Sequence, residues 1–171
     1  AGVDWPIIGG TAGLDSAQIG LRLLIAEVKQ PESYRLRITT DGIQIAGADA
    51  AGVFYGVQTL IQLLQRHGKT LPTFDIVDWP DLPARGVMLD VTRDKVPTMQ
   101  TLYHLVDQLA AWKVNQLQLY TEHAFAYRNH PAVWATASPL TAAEIMALDS
   151  YCWERFIELV PNQTTLGHMH R

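Results

Sequence analysis

The 171-residue chain is 48% hydrophobic and 18% charged, a balance that fills a core and excludes an intrinsically disordered segment. Its net charge of −4, with Lys and Arg scattered rather than clustered, excludes nucleic acid as a partner, because phosphate recognition needs a concentrated basic face. No apolar run approaches the roughly 18 residues of a membrane span and the N-terminus lacks a basic-then-apolar leader, so the chain reads as soluble, with no membrane partner. The compartment stays open, a periplasmic or secreted parent included, since a cleaved leader leaves no trace. Cys152, the single cysteine, cannot close an internal disulfide, and its place in a helical pattern reads as a buried inert thiol rather than a nucleophile.

In chain order, Leu21 to Val28 and Tyr34 to Ile38 favour strands, the second with Tyr34, Leu36 and Ile38 on one face and Arg35 and Arg37 on the other. These two are expected to be antiparallel neighbours. Thr39-Thr40-Asp41-Gly42 then leads into Ile43-Gln44-Ile45-Ala46, and Asp-Gly between two such runs signals a hairpin. A helix follows with Asp49 as N-cap, Val53, Val57, Leu60, Ile61 and Leu64 on one stripe, and His67-Gly68 as the stop. Phe74 to Val77 returns as a strand, giving a small α+β domain over residues 1–80.

Pro80 and Pro83 punctuate the chain, since neither fits a helix interior or a central strand. Residues 81–171 then read strand 86–91, helix 98–112 (Leu102, Leu105, Val106 and Leu109 inward), strand 115–120, a loop, helix 142–155 and strand 157–161. The second helix opens on Thr141 and Glu144, a capping box. Alternation of this kind implies a parallel sheet, open or closed into a barrel.

Ligands of parallel α/β sheets lie beyond the carboxyl ends of the strands. Those ends carry Asp90, Thr92, Arg93 and Asp94; then Tyr120, Thr121, Glu122, His123, Tyr127 and Arg128; then Asn162, Gln163, Thr164, His168 and His170. With Phe125, Tyr127 and Trp134 in the middle loop, the mixture of rings, carboxylates and amides suits a sugar, although polar loops with aromatics also occur without any ligand.

Asp41-Gly-Ile-Gln-Ile, Gly52-Val-Phe-Tyr-Gly-Val-Gln-Thr-Leu and Arg85-Gly-Val-Met-Leu-Asp-Val-Thr-Arg, in order with Asp78-Trp-Pro, resemble the β-N-acetylhexosaminidases of glycoside hydrolase family 20 from about residue 30 onward. The resemblance implies an α+β domain of zincin-like topology, then a (β/α)8 barrel of which about three of eight strands are present. No HExxH motif occurs, so no zinc and no other cofactor is implied. It implies hydrolysis of terminal N-acetyl-β-hexosamine from glycans by a substrate-assisted retaining route, which uses an Asp-Glu pair on the fourth barrel strand. No Asp-Glu dipeptide occurs in these residues, so no catalytic residue is assigned. The acid/base and orienting carboxylates are expected beyond Arg171, and the chain alone is expected to be inactive.

Substrate-binding residues implied by the resemblance are Arg85, Glu122, His123 and His168. Glu122-His123 departs from the family's paired aspartates, and Thr164 replaces the usual aspartate partner of His168. Asp90 and Arg93 are expected to pair with each other or with loop backbone. An open-edged partial barrel is expected to form a homo-oligomer. The alternatives are a non-catalytic sugar-binding or protein-interaction module, and a small complete enzyme using Glu122 and His123 as acid and base.

Overall fold

The structure, a computed structural model, describes residues 20–26, 30–68, 70–165 and 167. The chain divides into two compact units between Asp81 and Leu82, and the mixed content makes it an α+β protein.

Unit one carries strands β1 (Gly20–Ile25), β2 (Tyr34–Thr39), β3 (Gly42–Gly47) and β4 (Phe74–Asp78), with helix α1 (Ala50–His67). The sheet order is β1-β3-β2-β4. Period-two alternation puts Tyr34, Leu36, Ile38, Ile43 and Ile45 on one face, where Tyr55 and Leu60 of α1 close the core. Asp49 caps α1 by accepting from the Gly52 amide at 2.7 Å, and Gly68, at φ +71°, closes it by donating to the Leu64 carbonyl at 2.8 Å.

Two expectations are corrected here. The first strand is not an antiparallel neighbour of the second: β1 pairs in parallel with β3, Leu21 opposite Ile43. Because Thr39 and Gly42 are paired, only Thr40 and Asp41 link the hairpin, so β3 must take one edge of β2; β4 takes the other, leaving β1 the outer edge of β3. Gly42, at φ +142°, begins β3 against β1, and a Cβ there would lie 2.8 Å from the Gly20 carbonyl oxygen. Ile61, placed on the inward stripe, is 40% exposed. The helix face that meets the sheet is instead set by Gly52 and Gly56, where an added Cβ would lie 2.2 Å from the Ser33 carbonyl oxygen and 2.4 Å from Ile45 Cγ2 respectively.

Unit two runs β5 (Gly86–Asp90), α2 (Met99–Ala111), β6 (Gln116–Thr121), α3 (Pro131–Trp134), α4 (Ala142–Trp153) and β7 (Glu158–Gln163). β6 lies between β5 and β7, parallel to both. The capping box forms: Glu144 accepts from the Thr141 amide at 2.8 Å and donates its own amide to Thr141 Oγ1 at 3.2 Å. Leu102, Val106 and Leu109 of α2, Leu148 and Cys152 of α4, and Leu117 and Leu119 of β6 are buried. The other face of the sheet is partly polar and open, with Met88 60% exposed and Asn162 Nδ2 3.4 Å from both Met88 Sδ and Gln118 Oε1.

Candidate functional site at the carboxyl ends of the parallel strands

Asp90 and Tyr120 sit opposite one another at the carboxyl ends of β5 and β6, and Asn162 is Tyr120's neighbour on β7. The chain leaves β5 through a turn in which Asp90 Oδ1 accepts from the backbone amides of Thr92 (2.9 Å) and Arg93 (3.1 Å). This turn fixes where Arg93 starts. Its guanidinium returns to Asp90 Oδ2 at 3.3 Å and reaches across to Glu122 Oε1 at 3.2 Å.

Glu122 is the hub. Its side chain is only 7% exposed, and Oε1 accepts from the Tyr120 hydroxyl at 2.9 Å as well as from Arg93. Tyr120 in turn accepts from Thr164 Oγ1 at 2.9 Å, which brings the end of β7 into the network. The Glu122 backbone is held as firmly: its amide donates to Thr92 Oγ1 at 2.9 Å, and its carbonyl accepts from Gln163 Nε2 at 3.0 Å and the Tyr127 hydroxyl at 3.3 Å. A buried carboxylate is tolerated where charge and hydrogen bonds compensate its lost hydration, and all three strand ends contribute to that here.

The electrostatics follow from these contacts. Partial burial pulls the Asp90 carboxyl upward, but the Thr92 and Arg93 amides and the Arg93 charge outweigh it and hold Asp90 below its ordinary value. The hydrogen bond to Glu122, then the Asp90 charge, raise Arg93. Burial pushes the Tyr127 phenol up.

Loop rings flank the rim. Phe125 and Tyr127 meet edge to face with centroids 5.0 Å apart, and Trp134 Nε1 donates to the Tyr127 carbonyl at 3.0 Å. Phe125 and Tyr127 share a mostly apolar cavity of about 400 Å³ with Asp149, Asn162 and Gln163.

Of the sequence-derived site residues, the structure brings Glu122 and His123 together, both buried at the end of β6. His168 lies outside the described residues, as does the His168-Met169-His170 run. Arg171, the position beyond which the acid/base and orienting carboxylates are expected, also lies outside them. Arg85 is corrected: β5 begins at Gly86, so Arg85 stands at the amino end of the strands, opposite the rim. Its Nε donates to the Lys113 carbonyl at 2.7 Å and Nη1 to the Leu82 carbonyl at 2.8 Å, while its backbone is pinned by Asn115 Oδ1 at 2.8 Å. It ties together the loops at the amino ends of β5 and β6. Arg93, expected to pair with Asp90, does so, but its second bond to Glu122 makes it the guanidinium of the site. The signal for that bond was present: Gln118, Tyr120 and Glu122 share a face at period two, and Arg93 is the first cation after the adjacent strand.

Residues 2–79 match the family described as "Glycosyl hydrolase family 20, domain 2". A beta-hexosaminidase of Vibrio vulnificus is 38% identical over 92 residues, covering 54% of this chain and 11% of that protein. Among solved structures, a glycoside hydrolase family 20 beta-N-acetylglucosaminidase superposes with TM-score 0.74 at 33% identity over 83% of this chain and 32% of its own. A mutant Streptomyces plicatus beta-hexosaminidase in complex with product GlcNAc gives TM-score 0.77 at 29% identity, over 87% and 34%. The likenesses are all to glycoside hydrolases. Residues 2–79 are thus similar to domain 2 of family 20 of that class, and the chain spans about a tenth of the Vibrio protein's length and about a third of the two solved chains.

Proposed function

We propose that residues 1–80 form the zincin-like domain, and residues 81–171 the first three strands of the (β/α)8 barrel, of a β-N-acetylhexosaminidase. The complete enzyme removes terminal N-acetyl-β-hexosamine from the non-reducing ends of glycans. The observation that carries this is the Arg93–Glu122–Tyr120 cluster, set at the carboxyl ends of three parallel strands, where barrels bind their substrates.

The parts divide the work. Arg93 is held through Nη1 by Asp90 and through Nη2 by Glu122 and the Tyr120 hydroxyl, while 60% of its side chain stays exposed, so the guanidinium fork is fixed in place with Nε and the unshared Nη1 proton left to donate to sugar hydroxyls. Glu122 and Asp90 aim that fork, and Tyr120 and Thr164 hold Glu122. His123 supplies a further polar contact at the rim, and His168 is assigned to substrate binding by the family resemblance alone. Catalysis proceeds through the substrate's own 2-acetamido group, whose oxygen attacks the anomeric carbon as the glycosidic bond breaks; one carboxylate orients that group and a second protonates the leaving oxygen. No Asp-Glu dipeptide occurs among the 171 residues, so that pair belongs to a barrel strand other than β5, β6 and β7, and the 171 residues alone do not turn over substrate.

The test is a pair of substitutions in a polypeptide carrying this chain and the remaining strands. Arg93→Ala lowers kcat/KM for p-nitrophenyl N-acetyl-β-glucosaminide by roughly tenfold to a hundredfold, as loss of a charged donor to substrate does. Arg85→Ala leaves it within about threefold and acts on stability instead. The reverse ranking would overturn the assignment.

A further inference from the structure

The solvent face of the unit-one sheet carries a row of side chains that the catalytic reading does not use. Register places Arg22 of β1 beside Gln44 of β3, and Gln44 beside Arg37 of β2. Cross-strand partners project to one face, and Gln44 and Arg37 alternate with the buried Ile43, Ile45, Leu36 and Ile38, so all three point away from the core. The two guanidinium stems are therefore two strand spacings apart, roughly 10 Å, with a carboxamide between them.

The floor beneath them is missing its side chains. Gly20 and Gly42 are paired one step along the same strands, and with Arg22, Arg37 and Gln44 they line a hollow of about 420 Å³. The nearby carboxylates neutralise the row only in part, Asp75 standing opposite Arg37 on β4 and forming an ion pair with its Nε. Asp75 is engaged by Arg35 through two bonds of 2.7 and 2.6 Å and lies 3.7 Å from Arg37. Among the described residues Arg22 has no ion pair. Asp41, at the margin of the hollow, is its only lining carboxylate among the described residues.

We propose that this hollow binds a tetrahedral oxyanion, a sulfate or phosphate group, gripped between Arg22 and Arg37 with the Gln44 carboxamide as a third donor. Paired guanidinium forks match the oxygens of such a group, and the glycine floor lets it approach the backbone. Both arginines are at the surface, so binding weakens as chloride rises.

The experiment is a titration of the protein with sodium sulfate and with sodium phosphate at constant ionic strength. It is followed by 1H–15N shifts of the Arg22 and Arg37 Nε–H and Gln44 side-chain resonances. Saturable shifts confined to these groups are expected, with Arg22→Gln and Arg37→Gln each weakening binding about tenfold and Asp41→Asn tightening it about threefold. All three positions are solvent-facing, so the variants keep the fold. N-acetylglucosamine 6-sulfate, set against unsulfated N-acetylglucosamine, distinguishes sources: tighter binding than inorganic sulfate points to a sulfated glycan, equal binding to the free ion. Linear shifts that never saturate, or an Arg22→Gln/Arg37→Gln double variant that binds like the parent, would overturn the proposal.

Discussion

Replacing Gly56 with Ala tests how α1 is seated. In an ordinary exposed helix the change stabilises by about 1 kcal/mol through propensity alone. Here the new Cβ would lie 2.4 Å from Ile45 Cγ2 and 3.1 Å from the Tyr34 ring, the first more than about 1 Å inside normal carbon contact. Neither neighbour can yield easily: Ile45 has no exposed surface, and the Tyr34 hydroxyl is held between Asp78 at 2.8 Å and Thr59 at 2.7 Å. Overpacking a filled core costs about 1–3 kcal/mol; at the upper end, less the propensity gain, the net loss is about 2 kcal/mol. With an m-value near 1 kcal/mol per M for so small a unit, the urea midpoint falls by about 2 M. Hydrogen exchange at the Leu36 and Ile45 amides reads this unit separately from the other, which far-UV dichroism does not. Ile45→Leu removes the clashing Cγ2, so the double variant recovers part of the loss. A Gly56→Ala protein as stable as the parent would refute the glycine-contact argument.

Loss of the Asp49 carboxylate, which also accepts from the Glu32 amide at 2.9 Å, in an Asp49→Ala variant destabilises unit one by about 1 kcal/mol; an unchanged urea midpoint would count against the cap. Hydrogen bonds from the Thr141 backbone, then its hydroxyl, hold Glu144 below its ordinary value. Its contribution is therefore complete above the unfolded pKa and lost as pH falls through the lower folded one, so Glu144→Gln flattens the acid limb of stability against pH. Burial pushes the Cys152 thiol up to about 12. At pH 8 it resists iodoacetamide until the protein is denatured, and its neutral form contributes stability that is lost as pH rises from the unfolded thiol value toward 12. Among the described residues β5 and β7 each have one unpaired edge; light scattering on the 171-residue chain is expected to show self-association, and a monomer at every concentration would contradict this.

Much of the fold was legible because local signals agreed with tertiary ones. Asp49, Gly68 and the Thr141–Glu144 box act on the helix ends next to them in sequence, and Pro80 and Pro83 exclude themselves from helix and central strand. Pairing was less legible: nothing in Leu21 to Ile25 says which edge remains once β3 and β4 have taken both sides of β2. The inward stripe of α1 was misjudged at Ile61 because a count of large apolar side chains is blind to glycine, and it is Gly52 and Gly56 that permit the close approach. At the site, Glu122 and His123 could be read from their place after a strand. Arg85 was misplaced because the boundary at Gly86 decides which end of the sheet a neighbouring side chain serves. The Arg93–Glu122 pair joins residues on different strand ends, so only the parallel register brings them within 3.2 Å.

The most direct test of the central claim is the release of p-nitrophenol from p-nitrophenyl N-acetyl-β-glucosaminide by the purified 171-residue chain. On the proposed function the 171 residues, which contain no Asp-Glu dipeptide, give no turnover above buffer, while a polypeptide with all eight strands does. Ordinary enzymatic turnover by the 171 residues alone would contradict the account.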